Sequence, residues 1–409
     1  MHILMLSDVS AAHVSCGRQR MLREQAVGLA QLGHRVQIVA RAPVDDPRPH
    51  VRIGEVDEWR FDGGRDHEMG SLMAQLHRSV DVFDRATRRG RPDIVLIHQP
   101  TAGLGPILRR RSAVPTWAYM CHVLAQDDYD LRCDAEQDEM AAWRRSANSQ
   151  GRYWAERLML SHCSQVIVLS DFMRERVAQV HRIPSGLLWR IPGAADAERF
   201  HPASDRSLVR RELGWSQERT ILFVLRRLVP RMGLDLLIDA VRLLGEDGRD
   251  VMLYIGGEGP LLETLQAQID RAGLAAQVRF VGYVPEERLC AHYQAADLVV
   301  VPTPALEGFG LVTVEALASR TPVLATPVGA LPEVLRRVDP ALVAESADAP
   351  GLADSLRRLL RRFAEEPGEQ ERLARKGRVL VERELNWSHH IVNLESVLLA
   401  DSHRLRRAA

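Results

Sequence analysis

Apolar residues recur along this chain in short runs, separated by stretches whose apolar positions follow a helical period. Ile3 to Leu6 forms the first run, and a polar loop from Ser7 to Gly17 follows it. Met21, Leu22, Ala26, Leu29, Ala30 and Leu32 then repeat at helical spacing and stop at Gly33, a residue suited to a helix C-terminus. Val36 to Val39 is the next run. Strand, loop, helix, strand is a βαβ unit, which implies a parallel sheet. The same order restarts at Thr220: Ile221 to Val224, a loop through Gly233, a helical stretch from Leu236 to Leu244, then Val251 to Ile255. Further runs predict strands at Asp93 to Ile97, Thr116 to Met120, Val166 to Leu169, Val278 to Val281, Leu298 to Val301 and Val323 to Ala325. The C-terminal segment reads as helical and arginine-rich, with Trp387 in a turn.

An architecture that starts twice predicts an α/β chain of two doubly wound domains. Ile191-Pro192-Gly193 and Phe200-His201-Pro202 suit the linker. The expected domains are residues 1–198 and 199–385, with a last helix over about 386–409 crossing back onto the first. Such folds bind ligands at the carboxyl ends of their strands, so a cleft between the two domains is the expected site.

Composition narrows the function classes. The 409 residues are 46% apolar and 26% charged, with 54 basic and 54 acidic side chains, so no global electrostatic footprint for nucleic acid exists. The five cysteines, Cys16, Cys121, Cys133, Cys163 and Cys290, have no zinc spacing and read as free thiols of a reducing cytoplasm. No signal peptide is legible, and no run approaches the ~18 apolar residues that span a bilayer. Lys376 is the sole lysine; every other basic side chain is arginine.

The most informative segment is Pro304-Ala305-Leu306-Glu307-Gly308-Phe309-Gly310-Leu311-Val312-Thr313-Val314-Glu315. A strand, a glycine turn and a helix N-terminus together make an anion site, from free N–H groups and the positive end of the helix dipole. A carboxylate placed there needs donors, and the hydroxyls of a ribose or sugar supply them. Glu307 and Glu315 stand with seven residues between them. This segment resembles the E-x7-E motif of retaining glycosyltransferases of family 4, which have the GT-B fold of two Rossmann-like domains. Ala296-Asp297-Leu298, Gly329-Ala330-Leu331-Pro332-Glu333-Val334, Gly257-Glu258-Gly259-Pro260, Val281-Gly282-Tyr283-Val284, Leu32-Gly33-His34-Arg35-Val36 and Val168-Leu169-Ser170 fall in the family's order, so the resemblance spans nearly the whole chain.

The resemblance implies that Glu315 binds the ribose of a nucleotide sugar. It implies that Glu307, with Gly308 and the amides of Phe309, Gly310 and Leu311, holds sugar hydroxyls and phosphate. Gly257, Gly282, Tyr283 and Val284 would lie along the nucleotide. Arg226-Arg227-Leu228-Val229-Pro230-Arg231-Met232-Gly233 follows the first strand of the second domain, where the family has Gly-Arg-Leu and a lysine before the last glycine. Arg227 holds the arginine position and would stabilise the leaving diphosphate. Met232 holds the lysine position, and a thioether cannot neutralise phosphate. Either Arg231 or Arg226 takes over the charge, or the enzyme is weak on its donor, or the chain is a degenerate binding partner.

In the first domain, His98 and His122 each follow a predicted strand. The plain reading of such a histidine is a satisfied core residue. The resemblance instead implies His122 at the reaction centre and His98 beside the acceptor, with Gly17 near the phosphates. An acidic run, Asp127, Asp128, Asp130, Asp134, Glu136, Asp138 and Glu139, follows His122. It reads as a solvated face or as an attraction for a cationic acceptor such as an amino sugar or aminocyclitol, with Asp127 and Asp128 as acceptor-binding candidates. Asp128-Tyr129-Asp130 spells a D-x-D triplet, but the two-domain layout argues against a metal role, and no metal or other cofactor is expected. Basic patches at Arg88-Arg89, Arg109-Arg110-Arg111 and Arg144-Arg145 read as solvated faces, with contact to an anionic bilayer as the alternative.

The expected function is transfer of a sugar from a nucleoside diphosphate sugar, a UDP-sugar, to an acceptor hydroxyl. The transfer would be retaining and metal-independent, on a small-molecule or glycan acceptor, with a lipid-linked glycan as the alternative.

Overall fold

The computed structural model describes residues 1–14, 16–62, 69–88, 90–135 and 142–408. The chain divides into two compact units: Met1–Tyr129, Met140–Gly193 and Trp387–Ala409 make one, Asp130–Glu139 and Ala194–Asn386 the other.

Up to Gly193 the elements are β1 (His2–Ser7), α1 (Gly17–Gln31), β2 (Arg35–Arg41), β3 (His50–Ile53), β4 (Val56–Phe61), α2 (Met69–Thr87), β5 (Ile94–Ile97), α3 (Pro100–Arg110), β6 (Thr116–Cys121), α4 (Ala125–Ala135), α5 (Ala142–Leu160), β7 (Gln165–Val168), α6 (Asp171–His181) and β8 (Leu188–Arg190). They build an eight-stranded sheet of order β3-β4-β2-β1-β5-β6-β7-β8. All its neighbours are parallel except β3 and β4. The inner strands β1, β5, β6 and β7 are buried along their whole length, which is why they read as unbroken apolar runs.

The second unit contains α7 (Arg206–Leu213), β9 (Thr220–Leu225), α8 (Leu234–Leu244), β10 (Val251–Gly256), α9 (Leu262–Arg271), β11 (Val278–Gly282), α10 (Leu289–Ala295), β12 (Leu298–Val301), α11 (Leu311–Ala318), β13 (Val323–Ala325), α12 (Leu331–Val338), α13 (Ala349–Glu365) and α14 (Glu369–Glu384). Its sheet is fully parallel, in the order β11-β10-β9-β12-β13. In both sheets the strand order reverses beside the first strand, between β1 and β5 and between β9 and β12. Such a reversal leaves a crevice at the carboxyl ends of the strands.

The periodicity finds the strands of both sheets except β3, β4 and β8. β4 reads Val56-Asp57-Glu58-Trp59-Arg60-Phe61, with charges inside. Glu58 and Arg60 are fully buried as a pair, Nε to Oε1 2.6 Å, and Arg60 also reaches Asp46 at 2.7 Å. The Glu58 carboxylate accepts from the Ser10 hydroxyl and the Ala11 amide, which ties the loop after β1 to the sheet. A buried charge pair is tolerated only when hydrogen bonds satisfy it, and these do.

Trp387 is not in a turn. It opens the last helix, α15 (Trp387–Ala408), which packs on the first unit. There the His390 ring bonds the Pro192 carbonyl and Gln25, while Glu395 pairs with His34 and the Val397 carbonyl accepts from Gln165.

Candidate active site

In the second unit, the loops leaving β9, β10, β12 and β13 converge. Their approach depends on glycine. A Cβ on Gly257 would collide with the Arg226 carbonyl, and one on Gly329 with the Glu307 carbonyl. Gly257 and Gly329 both have positive φ, which glycine adopts without strain. Leu306 also has positive φ, +53°, a conformation costly for a side chain with a Cβ. Leu306 directly precedes Glu307 in the chain.

Glu307 meets Arg226. The Arg226 Nη2 donates to Glu307 Oε2 at 3.0 Å and to the Thr303 hydroxyl at 3.2 Å. The Arg226 side chain is 9% exposed and that of Glu307 17%. Arg226 Nε is buried with no hydrogen-bond partner, so a donor remains unspent in this pocket. Arg227 turns outward and is exposed, while Met232 packs into the interior at 8% exposure. Arg231 is half-buried. Three guanidinium groups thus stem from one loop beside the N-terminus of α11, whose cap is Gly310 at φ +81°.

Glu315 lies inside α11, buried, and accepts from the Tyr293 hydroxyl at 3.0 Å. Phe309 is buried beside it in sequence, Gly308 and Gly310 complete the turn, and Leu311 opens the helix. Gly282 ends β11 in a positive-φ turn that leaves Tyr283 exposed and Val284 buried.

In the first unit, Asp8 leaves β1 and His98 leaves β5, the two strands flanking the reversal. His98 Nδ1 lies 3.2 Å from His122 Nε2. Burial pushes His98 down to about 3, with a further push from the charge of His390. Burial first, then His98 and Arg18, depress His122 well below the ordinary histidine range. Both rings are neutral near pH 7. Burial raises Asp8 to about 6, against the Ala102 amide, the Thr101 hydroxyl, Arg18 and Arg41, which favour its charge. Asp8 Oδ1, His98 Nε2 and Gln99 Nε2 are buried with no hydrogen-bond partner. Unspent hydrogen-bonding atoms on a neutral imidazole, an amide and a carboxyl of raised pKa suit a polyhydroxylated ligand. Gly17 is the first residue of α1.

Sequence reasoning missed Asp8, Gln99 and Tyr293. The polar loop after the first strand was the available signal for Asp8, and Gln99 adjoins His98. Tyr293 reads as one apolar residue among many in α10.

In the acidic run, Asp127 and Asp128 meet arginines of the same unit. Asp127 forms a two-pronged pair with Arg176, 2.9 and 3.0 Å, so the charge it was to offer a cationic acceptor is taken up within the protein. Asp128 is buried, with Arg18 at 3.8 Å. Asp128 and Asp130 sit two apart on α4, a spacing that points side chains to opposite sides of a helix. The side chain of Asp134, and residues Glu136, Asp138 and Glu139, lie outside the described residues, as does Arg89. Among the described residues, no helix is long and apolar enough to cross a membrane.

The second unit matches the family described as Glycosyl transferases group 1 over residues 205–379, and the first matches Glycosyltransferase Family 4 over residues 17–199. A D-inositol 3-phosphate glycosyltransferase of Nocardia farcinica is 30% identical over 380 residues, 89% of this chain and 80% of the relative. A GDP-mannose-dependent alpha-(1-6)-phosphatidylinositol monomannoside mannosyltransferase of Mycolicibacterium smegmatis is 34% identical over 201 residues, 48% of this chain and 52% of that one. Among solved structures, sucrose-phosphate synthase from Thermosynechococcus elongatus superposes with a TM-score of 0.83 at 21% identity, covering 100% of this chain and 99% of that one. Anabaena HepE in complex with UDP and glucose gives 0.76 at 19% identity, covering 98% and 100%. At those identities the likeness is one of fold.

Two Rossmann-like units give the GT-B fold, and the family matches make the chain a glycosyltransferase that uses a nucleotide sugar. The chain belongs to the group 1 glycosyltransferases of family 4.

Proposed function

We propose that this enzyme is a retaining glycosyltransferase that moves a hexosyl group from a nucleoside diphosphate sugar, UDP-linked, to a hydroxyl of a polyhydroxylated acceptor. The carrying observation is the Arg226–Glu307 pair at the β9/β12 reversal, in the turn before α11, on a loop that also bears Arg227 and Arg231. That group suits a diphosphate, which takes two-pronged hydrogen bonds from guanidinium groups.

In the proposed step, the bond between the anomeric carbon and the diphosphate oxygen breaks with oxocarbenium character. Arg227 takes up the charge on the departing diphosphate. Arg226, held by Glu307, supplies the cation that Met232 does not. The acceptor oxygen bonds to the anomeric carbon on the same face, and its proton passes to a diphosphate oxygen. No metal is needed in this scheme, since guanidinium groups carry the counter-charge. His98, His122 and Asp8 hold the acceptor hydroxyls in the first unit.

With Asp127 paired to Arg176, that residue offers no free charge to a cationic amino sugar. The relatives named for D-inositol 3-phosphate support a cyclitol instead. The relative named for GDP-mannose makes guanine the base to test against uracil.

Thermal-shift titration with UDP, GDP, ADP and TDP is the test, followed by the anomeric configuration of the product by NMR. Binding of one nucleotide, weakened in Glu315→Gln, is expected. Arg227→Ala should lower kcat by ~10²–10³. An inverted product refutes the retaining step, and failure of every nucleotide to bind favours a degenerate partner.

A further inference from the structure

We infer that α5 and the groove at its C-terminal end dock this protein on an anionic lipid bilayer. α5 buries Ser149, Glu156, Met159 and Leu160 against its own unit. At 100° per residue, Trp143, Ala147, Trp154 and Leu158 fall together on the opposite side. Trp143 is 68% exposed, Trp154 60% and Leu158 39%. A solvent-facing stripe centred on two indoles is unusual, because tryptophan is ordinarily mostly buried.

Charge favours an anionic surface. On α5, Arg144 is exposed beside Trp143, whereas Arg152 lies over the Tyr129 ring and Arg157 donates to the His181 carbonyl; the one acid of the helix, Glu156, is buried with its carboxylate bonded to Tyr119, Ala125 and His181. The Arg144 guanidinium lies over the Trp143 ring, 5.2 Å from its centre.

The stripe leads into a basic groove. The His162 ring bonds the Leu158 carbonyl at 2.7 Å. His162 also lines a groove of about 600 Å³ with Leu108, Arg109, Arg111, Ser112 and Ser164. Arg110, between those two arginines in sequence, is neutralised by Asp84, while Arg109, which donates to the His77 ring at 3.0 Å, and Arg111 keep their charge at the groove. Indoles beside arginines match the interfacial zone of a bilayer, where the ring body is apolar and the N–H is wet. A stable protein partner needs ~1,200–2,000 Å² of total interface, and a stripe one helix wide bearing two indoles of ~150–250 Å² each falls short.

The test is co-sedimentation of the full chain with vesicles of phosphatidylglycerol and phosphatidylcholine, and with phosphatidylcholine alone. Binding to the anionic vesicles only is expected, weakening with salt. Trp143→Ser with Trp154→Ser should abolish it, and Arg109→Glu with Arg111→Glu should weaken it on the order of tenfold or more. Unchanged nucleotide binding in these variants shows that they are folded and separates this inference from the proposed reaction. No binding to anionic vesicles, equal binding by the tryptophan variant, or a protein dimer lost on the same substitutions overturns the proposal.

Discussion

At the strand reversal of the first sheet, burial pushes His98 and His122 to their neutral forms and Asp8 up to about 6. At the reversal of the second sheet, Arg226 and Glu307 stand as an ion pair. The two sheets share one winding order around these points. What differs is the residue that leaves each strand. In the first unit imidazole, amide and carboxyl groups sit deep, where a charge is costly and a hydrogen bond to a neutral hydroxyl is not. In the second, glycine loops and the N-terminus of α11 surround a guanidinium with an unspent donor, an arrangement for a polyanion. The same fold therefore presents one face suited to hydroxyls and one suited to phosphate.

The strongest way to break that comparison is to move the cation. Arg226→Ala should weaken nucleoside diphosphate binding by ~10–100-fold, the loss of one charged hydrogen-bonding group with Glu307 left unpaired. Adding Met232→Lys to Arg226→Gly should restore much of it, which isothermal titration calorimetry would show. If Arg226→Ala binds as the parent does, the second site does not depend on this pair.

The first site is sharpened by pH. If ionised Asp8 accepts an acceptor hydroxyl, kcat/KM for the acceptor should fall as pH drops through about 6, where its carboxyl takes up a proton. Asp8→Asn should remove that limb and lower the rate at pH 7.5 by on the order of tenfold. An acid limb unchanged in Asp8→Asn assigns it elsewhere.

A smaller effect concerns stability. Burial lowers His98 to about 3 and His390 to about 4 from the ordinary value of 6.5. The unfolded chain protonates these rings near pH 6.5 while the folded chain does not. Stability from their neutral forms is thus full above pH 6.5 and drains as pH falls towards 4 and then 3. Asp8 acts in the opposite direction, gaining stability for the fold below about 6, but one carboxyl faces several imidazoles. In the second unit, Arg361 holds Asp247 low and Arg372 holds Glu369 low, so their contribution persists until pH drops below the ordinary carboxylate range. Calorimetry at pH 5 should show the first unit melting several degrees before its own pH 7.5 value, with the second little changed; about 1 kcal/mol corresponds to ~2–4 °C at this size. His390→Gln should flatten the first unit's dependence.

Much of the fold was legible. Each inner parallel strand is buried on both faces and so is written as an apolar run. β4 was not, because its interior face carries Glu58 and Arg60, and a buried ion pair looks like a surface in sequence. Trp387, expected in a turn, starts α15.

The sequence by itself determined the repeated βαβ architecture, the glycine turn before α11 and the positions of Glu307, Glu315, His98 and His122, since each depends on local pattern and spacing. It left open where the arginines around Met232 find partners, and it offered Asp127 as a free charge. Tertiary structure decided the partners of Arg226 and Asp127. Arg226 and Glu307 are 81 residues apart and meet only because β9 and β12 are neighbours. Asp127 is neutralised by Arg176, 49 residues away, across α4 and α6. Charge pairing of this kind depends on strand order and helix packing, which bring distant residues within hydrogen-bonding reach and which no local stretch of sequence encodes.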